Sequence, residues 1–399
     1  MKKLNLISFI LFIVLHNSTL SAQINFEHAA WSEILAKAKA EHKPIFMDAY
    51  TSWCGPCKEM AKNVFTNDSV TKYYNIAFVN AKIDMEAGEG KDLARVYNVN
   101  AYPSLLFIDE NGELLHRAVG TRTSAEFIQL GKDAQLPEKQ LMSLEKKYKS
   151  GVRNTQFMTL YLRALEGVSP KDTKEPLNAY FDTQKEQDWT SPANWKIINS
   201  HLSDYQSKVF NYLVKHNDVF AAKYTADSVN KKIFDIYVNA CQSLIYSREA
   251  DSVKFFQLTE EIKKSGFARS EELVLREYMM YYQKKKDYIN YAKAAVPYID
   301  KYKRNDAADL GYAANYFYKN LTDSAFLAKA EQWAEKCFLL DPNPQVRMDS
   351  FAFSLSQMGR MKEAVKFQRK AIEFIKADPQ KQYESWIPDM EKKIAEWSK

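Results

Sequence analysis

The sequence predicts an α/β domain with a mixed central sheet flanked by helices, followed by a longer all-α region. Three observations lead to this prediction. Strand-like and helix-like segments alternate over residues 24–134, as they do in α/β domains. Beyond residue 135, apolar residues recur at helical spacing and strand-like runs are almost absent. The 399 residues include only 11 glycines, and a chain of this length is expected to form two or three domains.

The alternating segments follow the order β-α-β-α-β-α-β-β-α. Mostly apolar runs indicate buried strands, and the dipeptide Asn111-Gly112 predicts the turn of a hairpin. In chain order, the predicted segments are a strand at 24–26, a helix at 29–43, a strand at 44–50, a helix at 54–62, a strand at 76–84, a helix at 90–98, strands at 104–109 and 113–120, and a helix at 124–134.

The region from 136 to 399 is predicted to form pairs of antiparallel helices. Near its end, Ala330 and Ala364 are 34 residues apart, and so are Cys337 and Ala371. This spacing matches the length of a tetratricopeptide repeat, so the region resembles a solenoid of that type, most clearly at 306–399. The resemblance implies a surface that binds or orients a protein partner.

The first 22 residues have the pattern of a signal peptide. Lys2 and Lys3 precede an apolar run at 4–15, and small polar residues lead to Ser21-Ala22, after which cleavage would leave Gln23 first. An uncleaved anchor is the alternative. No later run is long and apolar enough to span a bilayer. The mature protein is therefore predicted to be exported, to the periplasm or the medium, with no membrane span.

The charge excludes one class of partner. The formal net charge is +6, and lysines and arginines do not form a long cluster on one predicted face. Nucleic-acid binders typically concentrate basic residues on one face or stripe. We therefore do not expect this protein to bind nucleic acid.

The chain has four cysteines, of which Cys54 and Cys57 form a CxxC pair in the run SWCGPCK. A zinc site would need two further ligands at suitable spacing, and Cys241 and Cys337 stand alone in helical segments. A c-type haem would need histidine after the second cysteine, where Lys58 stands. An inert structural disulfide is a further alternative. Dithiol–disulfide exchange fits the pair best, whereas the two lone cysteines are predicted to be core thiols.

The residues around the pair suit this chemistry. Cys54 would open a helix, where unpaired N–H groups and the helix dipole favour the thiolate, the form that attacks disulfides. Cys57 lies one turn later and can resolve the mixed disulfide. Pro56 falls in the first turn, where a missing N–H costs little. Trp53 offers a flat apolar surface for docking. Asp48 lies in an apolar strand, so burial should raise its pKa.

These runs resemble a thioredoxin-fold domain. The segments MDAYTSWCGPCK, AYPSLLFID, ENGE and AVG occur in the order and spacing of that family, and the active-site motif is that of thioredoxin. The longer run MDAYTSWCGPCKEMAKNVFTNDSV is similar to thioredoxin-like domains of exported disulfide reductases. The resemblance covers about 110 of the 399 residues. It places the thioredoxin-like domain at 23–135 and the helical-repeat domain at 136–399.

The resemblance implies roles for specific residues. Asp48 would accept the proton of Cys57. The Tyr102–Pro103 bond would be cis and packed against the cysteines, with the backbone of Tyr102 pairing with a substrate strand. The Gly55-Pro56 dipeptide is the thioredoxin choice and favours reduction of substrates over oxidation.

One position departs from the family pattern. Thioredoxins typically have a lysine near the start of the middle strand, close to the buried aspartate. Aligned on Asp84, that position is Asn80, and the nearest lysine is Lys82. If Lys82 faces away from Asp48, the proton relay differs from that of thioredoxin.

The resulting hypothesis is an exported thiol–disulfide oxidoreductase that reduces protein disulfides without a cofactor or metal. Its partners would be proteins with thiols or disulfides and an electron donor that the sequence does not identify. Two alternatives stay open. The helical region could make the protein an interaction scaffold with a redox-sensing domain, or electron flow could run the other way, as in a disulfide oxidase or isomerase.

Overall fold

The structure, a computed structural model, describes residues 23–247 and 251–399. The signal peptide predicted for residues 1–22 lies outside the described residues. The chain divides into two compact units, the first ending at Leu202 and the second spanning Ser203–Lys399. Each unit contains hydrophobic core clusters of its own.

The first unit contains a mixed five-stranded sheet, as predicted. Strands β1, β3 and β2 run parallel, whereas β4 is antiparallel to both β2 and β5. The order across the sheet is β1-β3-β2-β4-β5. The strands are β1 (Phe26–Glu27), β2 (Ile45–Tyr50), β3 (Val79–Asp84), β4 (Ser104–Ile108) and β5 (Leu114–Val119).

Helices cover both faces of this sheet. They are α1 (Trp31–Glu41), α2 (Gly55–Asn63), α3 (Asp68–Ala77), α4 (Gly90–Val96) and α5 (Ser124–Ala134). Along β2, side chains alternate between the two faces. Phe46 packs in a cluster with Met60 of α2 and Phe127 of α5. Met47 packs in the other cluster, with Ile34 of α1. By the same alternation, Asp48 shares the α2 face with Phe46.

Helix α3 is absent from the predicted order, and its last residues fall in the strand predicted at 76–84. The side chain of Asn67 caps the helix by accepting the N–H groups of Ser69 and Val70. Val70 and Tyr74 bury one helix face, while Ile76 is exposed. The apolar residues Ile76 and Ala77 at the end of α3 are followed almost immediately by the apolar residues of β3. Periodicity alone therefore does not separate the two elements.

The first unit continues beyond residue 135 as helices α6 (Leu141–Lys149), α7 (Thr155–Glu166), α8 (Lys174–Asp182) and α9 (Pro192–His201). Helix α6 packs against β5, and the N–H of Leu141 donates to Nδ1 of His116 at 3.0 Å. Burial lowers the pKa of His116 to about 4, which keeps Nδ1 free to accept. Helix α6 therefore covers the β5 side of the sheet. The domain boundary predicted after residue 135 stays a prediction.

The second unit is helical throughout its described residues. Its helices are α10 (Lys208–Lys215), α11 (Asn217–Tyr224), α12 (Ala226–Tyr246), α13 (Ser252–Lys264), α14 (Ser270–Lys285), α15 (Tyr288–Tyr302), α16 (Ala307–Asn320), α17 (Ser324–Leu339), α18 (Pro344–Gln357), α19 (Met361–Ala377) and α20 (Ile387–Trp397). Helices α14 and α15, α16 and α17, and α18 and α19 pack as consecutive pairs. This agrees with the predicted helical pairs.

The spacing of these pairs is longer than the sequence indicated. The first helices begin at Ser270, Ala307 and Pro344, which are 37 residues apart each time. Ala330 and Ala364 are both fully buried, but they occupy different turns of α17 and α19. The 34-residue recurrence of small residues is therefore not the spacing of the helices, and the tetratricopeptide type stays a prediction.

Candidate redox site

The cysteine pair lies at the start of α2. Cys54 and Cys57 form a disulfide, with their Cα atoms 5.3 Å apart. Cys54 is the N-cap of α2, and its Sγ accepts the N–H of Cys57 at 3.1 Å. Pro56 is the second residue of the helix, where no intrahelical donor is needed. The helix thus begins where the sequence predicted, with the first cysteine as its cap.

This placement favours attack by Cys54 once the pair is reduced. The unpaired N–H groups at a helix start carry the positive end of the helix dipole, which stabilises a thiolate. The N–H of Cys57 already points at the Cys54 sulfur. Both cysteines are almost fully buried, at 3% and 2% exposure. A partner disulfide therefore has to approach through the surface formed by their neighbours.

That surface is aromatic and includes Trp53, which is 65% exposed. Its indole N–H donates to Oε2 of Glu86 at 2.9 Å. Its ring meets the ring of Tyr102 edge-on, with the centroids 5.9 Å apart. The Tyr102–Pro103 bond is cis. The segment that the resemblance assigns to substrate alignment therefore lies beside Trp53, and Gly55 and Pro56 are exposed next to it.

A buried ion pair lies on the α2 face of the sheet. Asp48 of β2 is fully buried and stands opposite Lys82 of β3 in the strand register. Lys82 Nζ lies 3.1 Å from Asp48 Oδ2. Burial raises the pKa of Asp48, while the charge of Lys82 acts in the opposite direction. Burial therefore favours the protonated form of Asp48, whereas Lys82 favours its ionised form.

Lys82 therefore faces Asp48 rather than away from it. Its ammonium also lies over three aromatic rings, 4.8 Å from the centroid of Tyr50, 5.5 Å from that of Phe65 and 5.6 Å from that of Phe26. Asn80, the residue at the usual lysine position, instead donates its amide to the carbonyl of Tyr74. A lysine thus lies beside Asp48 in this chain as well, at position 82, two residues after Asn80.

Two of these contacts were not predicted. The pairing of Asp48 with Lys82 follows from the register of two parallel strands, which the sequence does not state directly. Glu86 follows β3 in a turn where its own N–H donates to Oδ1 of Asp84. No sequence signal links Glu86 to Trp53, because 33 residues separate them.

The other cysteines lie in the second unit as buried thiols, as predicted. Cys241 of α12 and Cys337 of α17 are both free and buried. Burial raises the pKa of each. The Cys337 thiol donates to the carbonyl of Ala307 at 3.0 Å. Raised pKa values and burial make both thiols poor nucleophiles at neutral pH.

Two features are absent from the described residues. Within 23–247 and 251–399, no group of three His, Cys, Asp or Glu side chains is arranged to hold a metal ion. Over the same ranges, no helix has both the length and the hydropathy to cross a membrane.

Comparison with known proteins identifies relatives of the first unit. A family model described as a thioredoxin-like domain matches residues 31–135. Thioredoxin H-type of Fagopyrum esculentum is 35% identical over 92 residues, which cover 23% of this chain and 73% of that protein. Thiol:disulfide interchange protein DsbD of Yersinia pestis is 33% identical over 95 residues, which cover 23% of this chain and only 16% of DsbD.

A solved structure is also similar to part of this chain. A Bacteroides thetaiotaomicron protein named for a proposed disulphide-isomerase activity is 43% identical, with 28% of this chain and 93% of that chain covered and a TM-score of 0.27. The match to thioredoxin H-type covers most of that protein. Through residues 31–135, this chain belongs to the thioredoxin-like family of disulfide oxidoreductases.

Proposed function

We propose that the protein is exported and reduces disulfide bonds of other proteins through Cys54 and Cys57. The observation that carries the proposal is the position of Cys54 as the N-cap of α2, with its sulfur accepting the N–H of Cys57. Such a position supports a thiolate nucleophile. The exposed Trp53 beside the pair supports a polypeptide as the partner.

The exchange takes place in two steps. The Cys54 thiolate attacks one sulfur of the partner disulfide, and the other partner sulfur leaves as a thiolate. Cys57 then gives its proton to the Asp48 carboxylate, and its thiolate attacks the Cys54 sulfur. The second partner sulfur leaves, and the Cys54–Cys57 disulfide forms. Two electrons pass from this protein to the partner, and a dithiol donor must return them before the next turnover.

The neighbouring residues would align the partner. The backbone of Tyr102 would pair with the partner backbone on one side of the cysteines, and Pro103 would pack against the cysteines. Trp53, Gly55 and Pro56 would form the apolar surface on the other side. The edge-to-face contact of Trp53 with Tyr102 supports a single continuous docking surface.

The reduction potential of the Cys54–Cys57 pair tests the direction of electron flow. We expect a value near roughly −270 mV, that of thioredoxin, in equilibration with dithiothreitol. A value of about −120 to −180 mV, the range of a strong oxidant and an isomerase, would instead favour oxidation or isomerisation of partners.

Trapping tests the order of the two cysteines. In Cys57→Ser, attack by Cys54 still forms a mixed disulfide, but nothing resolves it. Non-reducing electrophoresis should then show adducts with exported proteins. Cys54→Ser is the matched control and should trap none. Absence of adducts in both variants would argue against any exchange activity.

The second unit would bind or orient the protein partner. Tyr312 of α16 and Phe353 of α18 are 56% and 52% exposed, and they lie on the first helices of consecutive pairs. Exposed aromatic residues are common at protein interfaces. If the second unit alone captures a partner while exchange in the full chain is negligible, the scaffold alternative replaces the enzyme.

A further inference from the structure

The turn that follows β5 contacts two different segments of the first unit. Successive N–H groups of a strand point to opposite sides. The N–H of Gly120 donates to the carbonyl of Pro103 at 2.9 Å. The N–H of Val119 donates to the carbonyl of Gly167 at 2.8 Å. Two adjacent residues thus join the Tyr102–Pro103 segment on one side to the end of α7 on the other.

Arg122 reinforces this junction. Its Nη1 donates to the carbonyl of Val119 at 3.1 Å and to that of Thr121 at 2.8 Å. Its Nη2 donates to the carbonyl of Gly167 at 3.0 Å. A guanidinium presents several donors in one rigid plane, so a single side chain can hold carbonyls from two segments. Arg122 therefore fixes the turn after β5 to α7.

The end of α7 suits a cation. Gly167 is the C-cap residue of that helix. The last carbonyls of a helix have no partner within the helix and carry the negative end of its dipole. The Gly167 carbonyl accepts from both Val119 and Arg122. The carbonyl at the end of α7 thus gains hydrogen-bond donors, and the N–H of Val119 at the edge of the sheet gains an acceptor.

We propose that Arg122 is a positioning residue for disulfide exchange. By holding the end of α7 against the turn after β5, it fixes the Tyr102–Pro103 segment along which a partner polypeptide aligns. The inference rests on the proposed function. It makes the helices after residue 135 part of the substrate-aligning apparatus, although they contribute no group to the reacting sulfurs.

The proposal separates two kinds of substrate. A protein disulfide has to lie along the Tyr102–Pro103 segment, so a displaced segment slows its reaction. A small disulfide such as dithiodipyridine needs access only to the Cys54 sulfur, so the same displacement leaves its reaction unchanged. The Cys54–Cys57 reduction potential should also stay the same, because Arg122 touches neither cysteine.

Arg122→Ala in the full chain tests the proposal. The reduced protein is mixed with insulin or with dithiodipyridine, and the two second-order rate constants are compared with those of the unmutated protein. We expect a loss of about tenfold or more with insulin, because small misplacements of aligning groups cost large factors in rate. We expect no change with dithiodipyridine.

Arg153→Ala is the matched control. Arg153 also lies partly buried in the first unit and donates to two carbonyls, those of Tyr148 and Val152, but it does not contact the turn after β5. Its loss should lower the unfolding temperature and leave both rates unchanged. If Arg122→Ala behaves in the same way, or if it slows both substrates equally, the proposal is overturned.

Arg122→Lys keeps the test usable if the alanine variant does not fold. A lysine keeps the charge but cannot reach three carbonyls in one plane. We expect an intermediate loss with insulin alone, and an unchanged insulin rate would overturn the proposal. If the unmutated protein reduces dithiodipyridine but no protein disulfide, the proposed function fails instead, whatever the variants do.

Discussion

At the scale of single residues, the candidate site contains a buried carboxyl group, and its ionisation costs free energy. Asp48 has no access to solvent, and Lys82 is the cation at its side. A lone buried charge is strongly unfavourable, whereas a paired one is tolerated. The side chain of Lys82 is 23% exposed, so the cation of this pair keeps some contact with water.

Asp48→Asn should become more stable relative to the unmutated protein as the pH rises. The folded pKa of Asp48 lies above its ordinary value of 3.8, so the folded state holds a proton that the unfolded state has lost. Between pH 3.8 and the folded pKa, Asp48 lowers the free energy of unfolding by about 1.4 kcal/mol per pH unit. Asparagine does not ionise, so the variant does not show this loss. Urea unfolding of the disulfide form from pH 3 to pH 9 measures the difference. The two proteins should converge at the acidic end.

Lys82→Met should move the pH dependence of partner release to higher pH. The lysine charge opposes the effect of burial on Asp48, so its removal raises the pKa of Asp48 further. The carboxylate that we propose as acceptor of the Cys57 proton would then be present only in more alkaline solution. Single-turnover exchange at several pH values gives the profile. Lys37→Met, which removes an exposed lysine paired with Glu27, is the control and should leave the profile in place.

At the scale of elements, helix α14 contains a buried carboxyl group, that of Glu277, whose charge acts on Cys241 of α12. Glu277 is fully buried and pairs with Arg276 through one oxygen, and no donor among the described residues reaches the other. Its charge also raises the pKa of Cys241 on α12, after burial itself. Burial raises the pKa of Glu277 to about 7. We therefore expect the stability of these helices to depend on pH.

Glu277→Gln should stabilise the second unit in neutral solution but not in acid. Below the ordinary value of 4.5 the carboxyl is protonated in both states, so the substitution changes little. Between 4.5 and about 7 the unfolded state ionises first, and the unmutated unit loses stability as pH rises. The advantage of glutamine should level off at about 3 kcal/mol above pH 7. Hydrogen exchange of α14 amides reports on this unit, and a pH-independent difference would refute the assignment.

Some elements of the fold could be predicted from the sequence, and others could not. The strands of the sheet, the start of α2 and the residues of the cysteine motif follow from local patterns and turn signals. Helix α3 does not, because its apolar end merges with β3. The pairing of Lys82 with Asp48 and the contacts of Gly167 with β5 depend on tertiary register, which local patterns do not encode. The helical pairs were predicted, but their spacing was not, because small buried residues recur without marking equivalent turns.

At the scale of the whole molecule, the first compact unit should fold by itself. It ends at Leu202. We expect a fragment of residues 23–202 to unfold cooperatively. A fragment of residues 23–135 would lack the buried Leu141 and Leu144 of α6 and the bond from Val119 to Gly167. Its free energy of unfolding should be lower by about 3 kcal/mol or more, because the fragment lacks the apolar area that these two leucine side chains bury.

Chemical denaturation of the two fragments, followed by circular dichroism, makes this comparison. The second unit expressed as residues 203–399 is the reference for helical signal without the sheet. If the fragments 23–202 and 23–135 are equally stable, helices α6–α9 do not contribute to the stability of the sheet.

The covering of β5 also has a consequence for solubility. Unpaired strand edges invite other chains to pair with them and so promote aggregation. One edge of this sheet, β1, is only two residues long, and the other, β5, is covered by α6 and by the Gly167 carbonyl. Neither edge offers a long template for another strand. During folding, the β5 edge is therefore open to other chains only until α6 and α7 have docked.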